Sequence, residues 1–468
     1  MTRFGSRLPS CRPVRLAIWS TDADVGVSLA ARSRTIPSDD VEMPRPKDAM
    51  SLGAPEHAPA ASPWAFAPTL KVDAGERSVV VSETYARVKS IARRVPISRV
   101  ADLTPLDDLR LPVYSAVTPL ARDLKIHNGK GATREAARVS AMMEAVERVA
   151  AERSFAPCLL ASYRELERGG PLPPIDPRAL DLPADTAYRP DSKFTWVQGR
   201  ELLAGRDVLI PLDLVITPPS EGMLRDIDTN GLASGNIHLE AVVHAICEIV
   251  ERDALSQILF TATFGDSEDQ PYAQVPIELG TLPAQALEWA ERIARAGLEL
   301  EVLDITSDVG VPTFYTLLLD RHYPAPGGES RPRLFFGLGT HPDPDVAVLR
   351  ALSEAIQARL IIIQAARDSY NRIRTAPRRA APAAMRNRRV SRRRRGFLQV
   401  PGFKSLDLRA DLEFLLACLA KAGVRQCVAV DLTHPSWSIP VVRVRIAGLS
   451  PYCVNKRRLG PRCFRHLL

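Results

Sequence analysis

The stretch SAMMEAVERVA, Ser140–Ala150, recurs in altered form as HAICEIVERDA, His244–Ala254. Both contain Glu-x-x-Glu-Arg, and both keep a polar side chain four residues ahead of the first glutamate. On a helix, positions i, i+4, i+7 and i+8 share one face. In the first copy that face holds Ser140, Glu144, Glu147 and Arg148; in the second it holds His244, Glu248, Glu251 and Arg252. The residues between the carboxylates are apolar (Ala145 and Val146, Ile249 and Val250), so the acids adjoin positions that favour burial. Two carboxylates three residues apart repel each other and weaken a helix, and no lysine follows at i+4 to offset this. A divalent cation would offset it, and hard carboxylate oxygens suit Mg²⁺.

A third segment, RALSEAIQAR, places Arg350, Glu354 and Gln357 on one face. Three acidic helices can then converge on one centre. Mg²⁺ seldom uses an all-protein cage and prefers a few carboxylates plus phosphate oxygens. That combination points to a nucleoside triphosphate, with Arg148, Arg252 and Arg350 available for its phosphates. Solvated helices with incidental glutamate spacing account for any one of these motifs alone, but poorly for three. The metal ligands expected are therefore Glu144, Glu147, Glu248, Glu251 and Glu354.

Two loops lead into the acidic helices. HNGKGAT carries Lys130 between Gly129 and Gly131, where a backbone can approach a ligand closely and Lys130 can meet a phosphate. It is not a Walker A loop, because Gly-x-x-x-x-Gly-Lys-Ser/Thr is absent. TNGLASGN, Thr229–Asn236, precedes the second helix, either to position a ligand or simply as a helix entry.

At 468 residues the chain holds enough core for two or three domains or for one large one. Its longest apolar runs, such as LIIIQAA from Leu360, are too short to span a bilayer, and no signal peptide is evident. Seven scattered cysteines without a Cys-x-x-Cys pair argue for a reducing, cytoplasmic setting and against a disulfide framework or structural zinc. The net charge of +8 comes from one run: eleven arginines and no acid lie between Arg372 and Arg395. Without them 51 basic residues face 54 acidic ones. The run reads as a solvated loop, with an acidic peptide or an RNA backbone as the sharper alternatives. It has few aromatics to stack bases, which argues against nucleic acid.

Residues 1–70 are rich in Pro, Ala, Ser and Arg without lasting periodicity and read as a disordered extension. Residues 71–460 alternate strand and helix signals, with the arginine-rich loop at about 371–397, which makes a mixed α/β (α+β) domain.

GKGATREAARVSAMMEAVER, TNGLASGN…HAICEIVERDA and GLGTHPDPDVAVLRALSEAIQARL, followed by DLTHPSWSIPVVRVRIAGL, together resemble the YcaO family, in that family's order and over roughly residues 75–460. The resemblance implies a non-Walker ATP-binding fold with acidic helices packed on mixed sheets, and ATP and Mg²⁺ as cofactors. It implies ATP-dependent activation of a peptide backbone amide: a nucleophile attacks, the amide oxygen is phosphorylated, and phosphate leaves to give an azoline or a thioamide. Carried over by position, Ser140, Glu144, Glu147 and Arg148 match the first family motif, Glu248, Glu251 and Arg252 the second, and Arg350 and Glu354 the third. Lys130 and Gln357 join the ATP set on the spacing argument.

The family's cyclodehydratases mostly end in a proline-rich tail, whereas this chain ends RRLGPRCFRHLL. The expectation is therefore the branch that resembles TfuA-associated members, which are implicated in thioamide formation. A precursor peptide or protein would be the substrate and a TfuA-like protein the partner. An azoline cyclodehydratase and a non-catalytic nucleotide-binding accessory protein for a ribosomal protein are the alternatives. Assembly as a homodimer is compatible with either. The usual Pro before Gly448 is Ala447, a small departure. His127, His341, His434 and Cys247 read as core or turn residues, and Asp431 as a turn cap or substrate contact.

Overall fold

The computed structural model describes residues 62–72, 76–154, 156–264, 274–324, 330–365 and 393–465. Three sheets carry the helices. The first is β1 (Arg99–Asp102), β2 (Val113–Val117) and β3 (Ile126–Lys130), in that order. The largest joins β4 (Cys158–Ser162), β5 (Lys193–Glu201), β6 (Arg206–Pro211) and β7 (Leu232–Ser234) to two late strands. The third has β8 (Val275–Pro276), β9 (Glu299–Asp304), β10 (Thr313–Pro324) and β11 (Ser330–Thr340). The late strands β12 (Cys427–Asp431) and β13 (Val441–Ile446) lie between β5 and β7. The fold is the mixed helix and sheet class expected. Within it, the ladders between these strands are antiparallel rather than mixed.

The helices are α1 (Val81–Ile91), α2 (Arg134–Ala150), α3 (Tyr163–Gly169), α4 (His238–Phe264), α5 (Ala284–Arg295), α6 (Pro344–Gln364), α7 (Leu408–Lys421) and α8 (Pro461–Phe464). Three of them follow a strand after a short loop: β3 to α2, β7 to α4 and β11 to α6. The three units close in a ring. Each helix packs on its own strand and also on another unit's strand: α2 on β7, α4 on β11 and α6 on β3. The repeated acidic helices are thus three walls of one arrangement.

Local chemistry sets each wall. Thr133 caps α2, its hydroxyl accepting from the Ala136 N–H at 3.1 Å, and Asp343 caps α6, accepting from the Asp345 N–H at 2.9 Å, with Pro344 in the first turn. Close strand–helix contact requires missing side chains. A Cβ on Gly129 would lie 2.0 Å from the Ala141 nitrogen, and one on Gly337 2.2 Å from the Ala355 nitrogen.

The large sheet is covered on both faces. On β13, Val442, Val444 and Ile446 join the core with α4 and α7, while Val441 joins the core that contains α2. Arg443 and Arg445 share the face of Val441 and are fully buried or nearly so. The carbonyls of Val215, Leu214 and Asn230 accept from them, and Asp228 pairs with Arg445 at 2.8 Å, while one terminal nitrogen of Arg443 is buried without a hydrogen-bond partner among the described residues.

Residues 1–61 and 366–392, and so most of the N-terminal extension and of the arginine run, lie outside the described residues. Residues 62–72 belong to the folded part, so the expected boundary at 70 falls within it. Trp64 and Phe66 pack on the α4–α7 core, Lys71 pairs with buried Asp411 at 2.5 Å, and the Leu408 N–H donates to the Thr69 carbonyl. The end of the arginine run is also anchored: Arg395 pairs with Asp304, and its N–H donates to the Pro276 carbonyl.

Candidate functional site

The first carboxylate of each repeated motif is held by a backbone N–H in, or just ahead of, a strand. The Asn128 N–H donates to Glu144 Oε2 at 3.1 Å, and the Gly231 N–H donates to Glu248 Oε2 at 3.2 Å. The two contacts are similar: in HNGKG the Asn128 N–H serves α2, and in TNGLASG the Gly231 N–H serves α4. Between units, Ser234 donates to Glu147 Oε2 from its N–H at 2.8 Å and its hydroxyl at 3.0 Å. Lys130 donates to Glu354 Oε2 at 2.8 Å. TNGLASGN is therefore more than a helix entry.

The five glutamates form two groups. Glu144, Glu147 and Glu248 interact across α2 and α4; Glu251 and Glu354 interact across α4 and α6. Arg252 lies between them, 3.9 Å from both Glu248 and Glu251. Burial, then repulsion from Glu144 and Glu248, pushes the Glu147 carboxyl up to about 8. Burial, then Glu354, pushes Glu251 up to about 7. Burial also raises Glu248, against the pull of Arg252 and Arg148. It opposes charge on Glu354 too, yet Lys130 and Arg252 hold that carboxyl below its usual value.

The expected phosphate groups face the same region with uneven availability. Arg148 pairs with Asp123 at 3.2 Å and lies 3.9 Å from Glu144. Arg350 donates to Glu76 at 3.0 Å and meets His244 Nε2 at 3.0 Å. Burial, then Arg350, holds His244 neutral, well below its ordinary value. Ser140 and Gln357 lie half-buried on α2 and α6, and neither side chain makes a hydrogen bond among the described residues. Glu76 and Ser234 were not selected from the sequence. Ser234 lies in a loop the sequence did flag. Glu76 is a lone acid that meets Arg350 across 274 residues, and no local pattern marks it.

The other flagged positions take quiet roles. His127 is fully buried, its Nε2 2.7 Å from the Thr118 hydroxyl. His341 Nδ1 accepts from the Asp343 N–H, and His434 stacks on Trp437. Asp431 caps a turn by accepting from the Thr433 N–H at 2.9 Å and pairs with His238 at 3.3 Å. The Cys247 thiol is buried in the α4 core, and burial pushes it far up.

No three His, Cys, Asp or Glu side chains among the described residues close into a ready-made metal cage. The donor set fits Mg²⁺ nonetheless: hard carboxylates in mutual repulsion, buried at Glu251 and half-buried at the other four, with cations placed for phosphate.

Residues 128–450 match the sequence profile of the YcaO cyclodehydratases, an ATP- and Mg²⁺-binding family. The chain belongs to the YcaO family. It is 34% identical over 397 residues to an uncharacterized protein of Methanothermobacter thermautotrophicus, across 82% of this chain and 98% of that one. It is 33% identical over 393 residues to an uncharacterized protein in the tfuA 3′ region of Rhizobium leguminosarum bv. trifolii, across 81% and 89%. Among solved structures it resembles YcaO from Methanopyrus kandleri bound with AMPPCP and Mg²⁺, with a TM-score of 0.64, 25% identity, and coverage of 85% of this chain and 98% of that one. As a YcaO protein the chain is an ATP-dependent enzyme of the cyclodehydratase family, with ATP and Mg²⁺ as its cofactors. No helix among the described residues is long and apolar enough to cross a membrane.

Proposed function

We propose that this YcaO protein activates a backbone amide of a peptide or protein substrate for thioamide formation, with a TfuA-like protein as partner. The observation that carries the reading is the ring of three acidic helices, joined unit to unit by Ser234–Glu147 and Lys130–Glu354. The thioamide branch is supported by the Rhizobium relative, which lies beside tfuA.

ATP supplies the phosphoryl group that turns the amide oxygen into a leaving group. The chain's own residues position and neutralise. Glu144, Glu147 and Glu248 form one wall for Mg²⁺, and Glu251 and Glu354 the facing one. Burial opposes the charge on Glu147, Glu248 and Glu251, which a cation would offset. Lys130, Arg148, Arg252 and Arg350 are the donors for the triphosphate, and Ser140 and Gln357 offer side chains with no hydrogen-bond partner among the described residues. An incoming nucleophile adds to the amide carbon, the oxygen leaves as phosphate, and sulfide as nucleophile gives the thioamide.

The test is reconstitution of the chain with a TfuA-like protein, ATP, Mg²⁺, a sulfide source and candidate substrate peptides. A product carrying sulfur in place of oxygen, with one phosphate released per exchange, is expected. A product that has lost water points to an azoline cyclodehydratase. Failure of substrate to stimulate ATP turnover points to an accessory protein.

A further inference from the structure

Arg350 is engaged on both terminal nitrogens by the protein itself. Nη1 donates to Glu76 Oε2 and Nη2 meets His244 Nε2, each at 3.0 Å. Glu76 therefore stands where an anionic ligand of Arg350 would stand. Both partners are reachable from solvent, with side-chain exposures of 20% for Arg350 and 25% for Glu76.

Glu76 is held differently from three of the five motif glutamates. Glu144, Glu147 and Glu248 each accept a backbone N–H. Among the described residues Glu76 accepts none, and its only other ion pair is with adjacent Arg77 at 3.5 Å. Its neighbours are fixed. The Ser78 hydroxyl donates to Glu240 Oε1 at 2.7 Å, and the Ser78 N–H bonds the same oxygen. Arg77 lies 4.0 Å from Glu240, and α1 is fastened to Asn236 through Thr84 and Arg87. The contacts that fasten this segment to α4, and α1 to Asn236, run through Ser78, Arg77, Thr84 and Arg87 and not through the Glu76 side chain.

We infer that Glu76 is an internal competitor for the nucleotide: its carboxylate and a phosphate of ATP are alternative partners of Arg350, so that Glu76 sets nucleotide affinity. This rests on the ATP site read above. The physical ground is like-charge exclusion. A phosphate within hydrogen-bond reach of Arg350 Nη1 would share that nitrogen with a carboxylate, and the two anions repel unless one leaves. A ligand that must displace an internal partner binds more weakly by the cost of that displacement.

The experiment is calorimetric titration of ATP with Mg²⁺ into the full chain, its Glu76→Gln variant and its Glu354→Gln variant, each checked for unchanged melting behaviour. Glutamine keeps the size of Glu76 and can still accept from Arg350, but carries no charge to oppose phosphate. Competition predicts that Glu76→Gln binds roughly fivefold or more tightly than wild type. It also predicts that ATP increases hydrogen exchange at residues 76–78 in wild type. Unchanged or weaker binding by Glu76→Gln overturns the inference, weaker binding meaning that Glu76 positions Arg350 for phosphate. The Glu354→Gln arm separates the two claims. If that variant binds ATP as wild type does, the site itself is misread. If it loses binding while Glu76→Gln does not tighten, only the competition fails.

Discussion

Lys130 on β3 and Glu354 on α6, 224 residues apart in sequence, meet at 2.8 Å and join the first strand–helix unit to the third. The pair is quarter-exposed, so its value to stability is small, about 1 kcal/mol or less. Its value to the site is larger, because Glu354 faces Glu251 and Lys130 is a cation close to both.

Lys130→Ala is therefore expected to leave the melting temperature nearly unchanged while weakening Mg²⁺–ATP binding by roughly tenfold or more, about 1.4 kcal/mol. Thermal melting and calorimetry on one preparation check both halves.

Gly337→Ala tests the packing that carries α6. The added Cβ would sit 2.2 Å from the Ala355 nitrogen and 2.3 Å from the Ala351 oxygen, both backbone atoms that cannot turn aside. The helix must lift from β11, at a cost of about 1–3 kcal/mol. Denaturant unfolding should show that loss. ATP affinity should fall too, since Arg350 and Glu354 move with the helix.

Asp228 gives a pH-dependent stability with a defined sign. Arg445 at 2.8 Å and Arg458 at 2.5 Å donate to its Oδ2, and the Asn230 N–H donates to Oδ1 at 2.8 Å. Burial opposes the charge, but the arginines Arg445, Arg458 and Arg443 hold the carboxyl well below its usual value. A carboxyl depressed on folding contributes stability above its unfolded value, about 4, and loses it as pH falls through and below that value. Asp228→Asn should cost about 3–5 kcal/mol at pH 7, because it leaves buried guanidinium groups uncompensated. The variant should also lose less stability on acidification than wild type. Unfolding curves at pH 7 and pH 3 compare the two slopes.

Much of the site was legible because it is helical. The spacing in SAMMEAVERVA, HAICEIVERDA and RALSEAIQAR fixes which side chains share a face, and that relationship survives any packing. The shared centre was inferred from chemistry, and the ring of three units supplies its structural basis. What could not be read were contacts set by topology. Ser234 reaches Glu147 across 87 residues, and Glu76 reaches Arg350 across 274. Nor does a run such as VVRVRI announce that its arginines will be buried. Alternation assigns Arg443 and Arg445 to one face, but only the carbonyls of Val215, Leu214 and Asn230 beneath that face make burial tolerable. The mixed helix and sheet class was legible from the alternation of strand and helix signals, while mixed sheets were what the family resemblance implied. The strands instead pair antiparallel, in hairpins such as β10–β11 and in longer-range partners such as β13–β7.

The proposed site has carboxylates from three helices holding Mg²⁺–ATP between them. Titration of ATP, with and without Mg²⁺, into wild type and Glu251→Ala tests it most directly. Binding should require Mg²⁺ and fall beyond detection in a folded Glu251→Ala sample. Equal affinity with and without Mg²⁺, or full affinity in the variant, would contradict it.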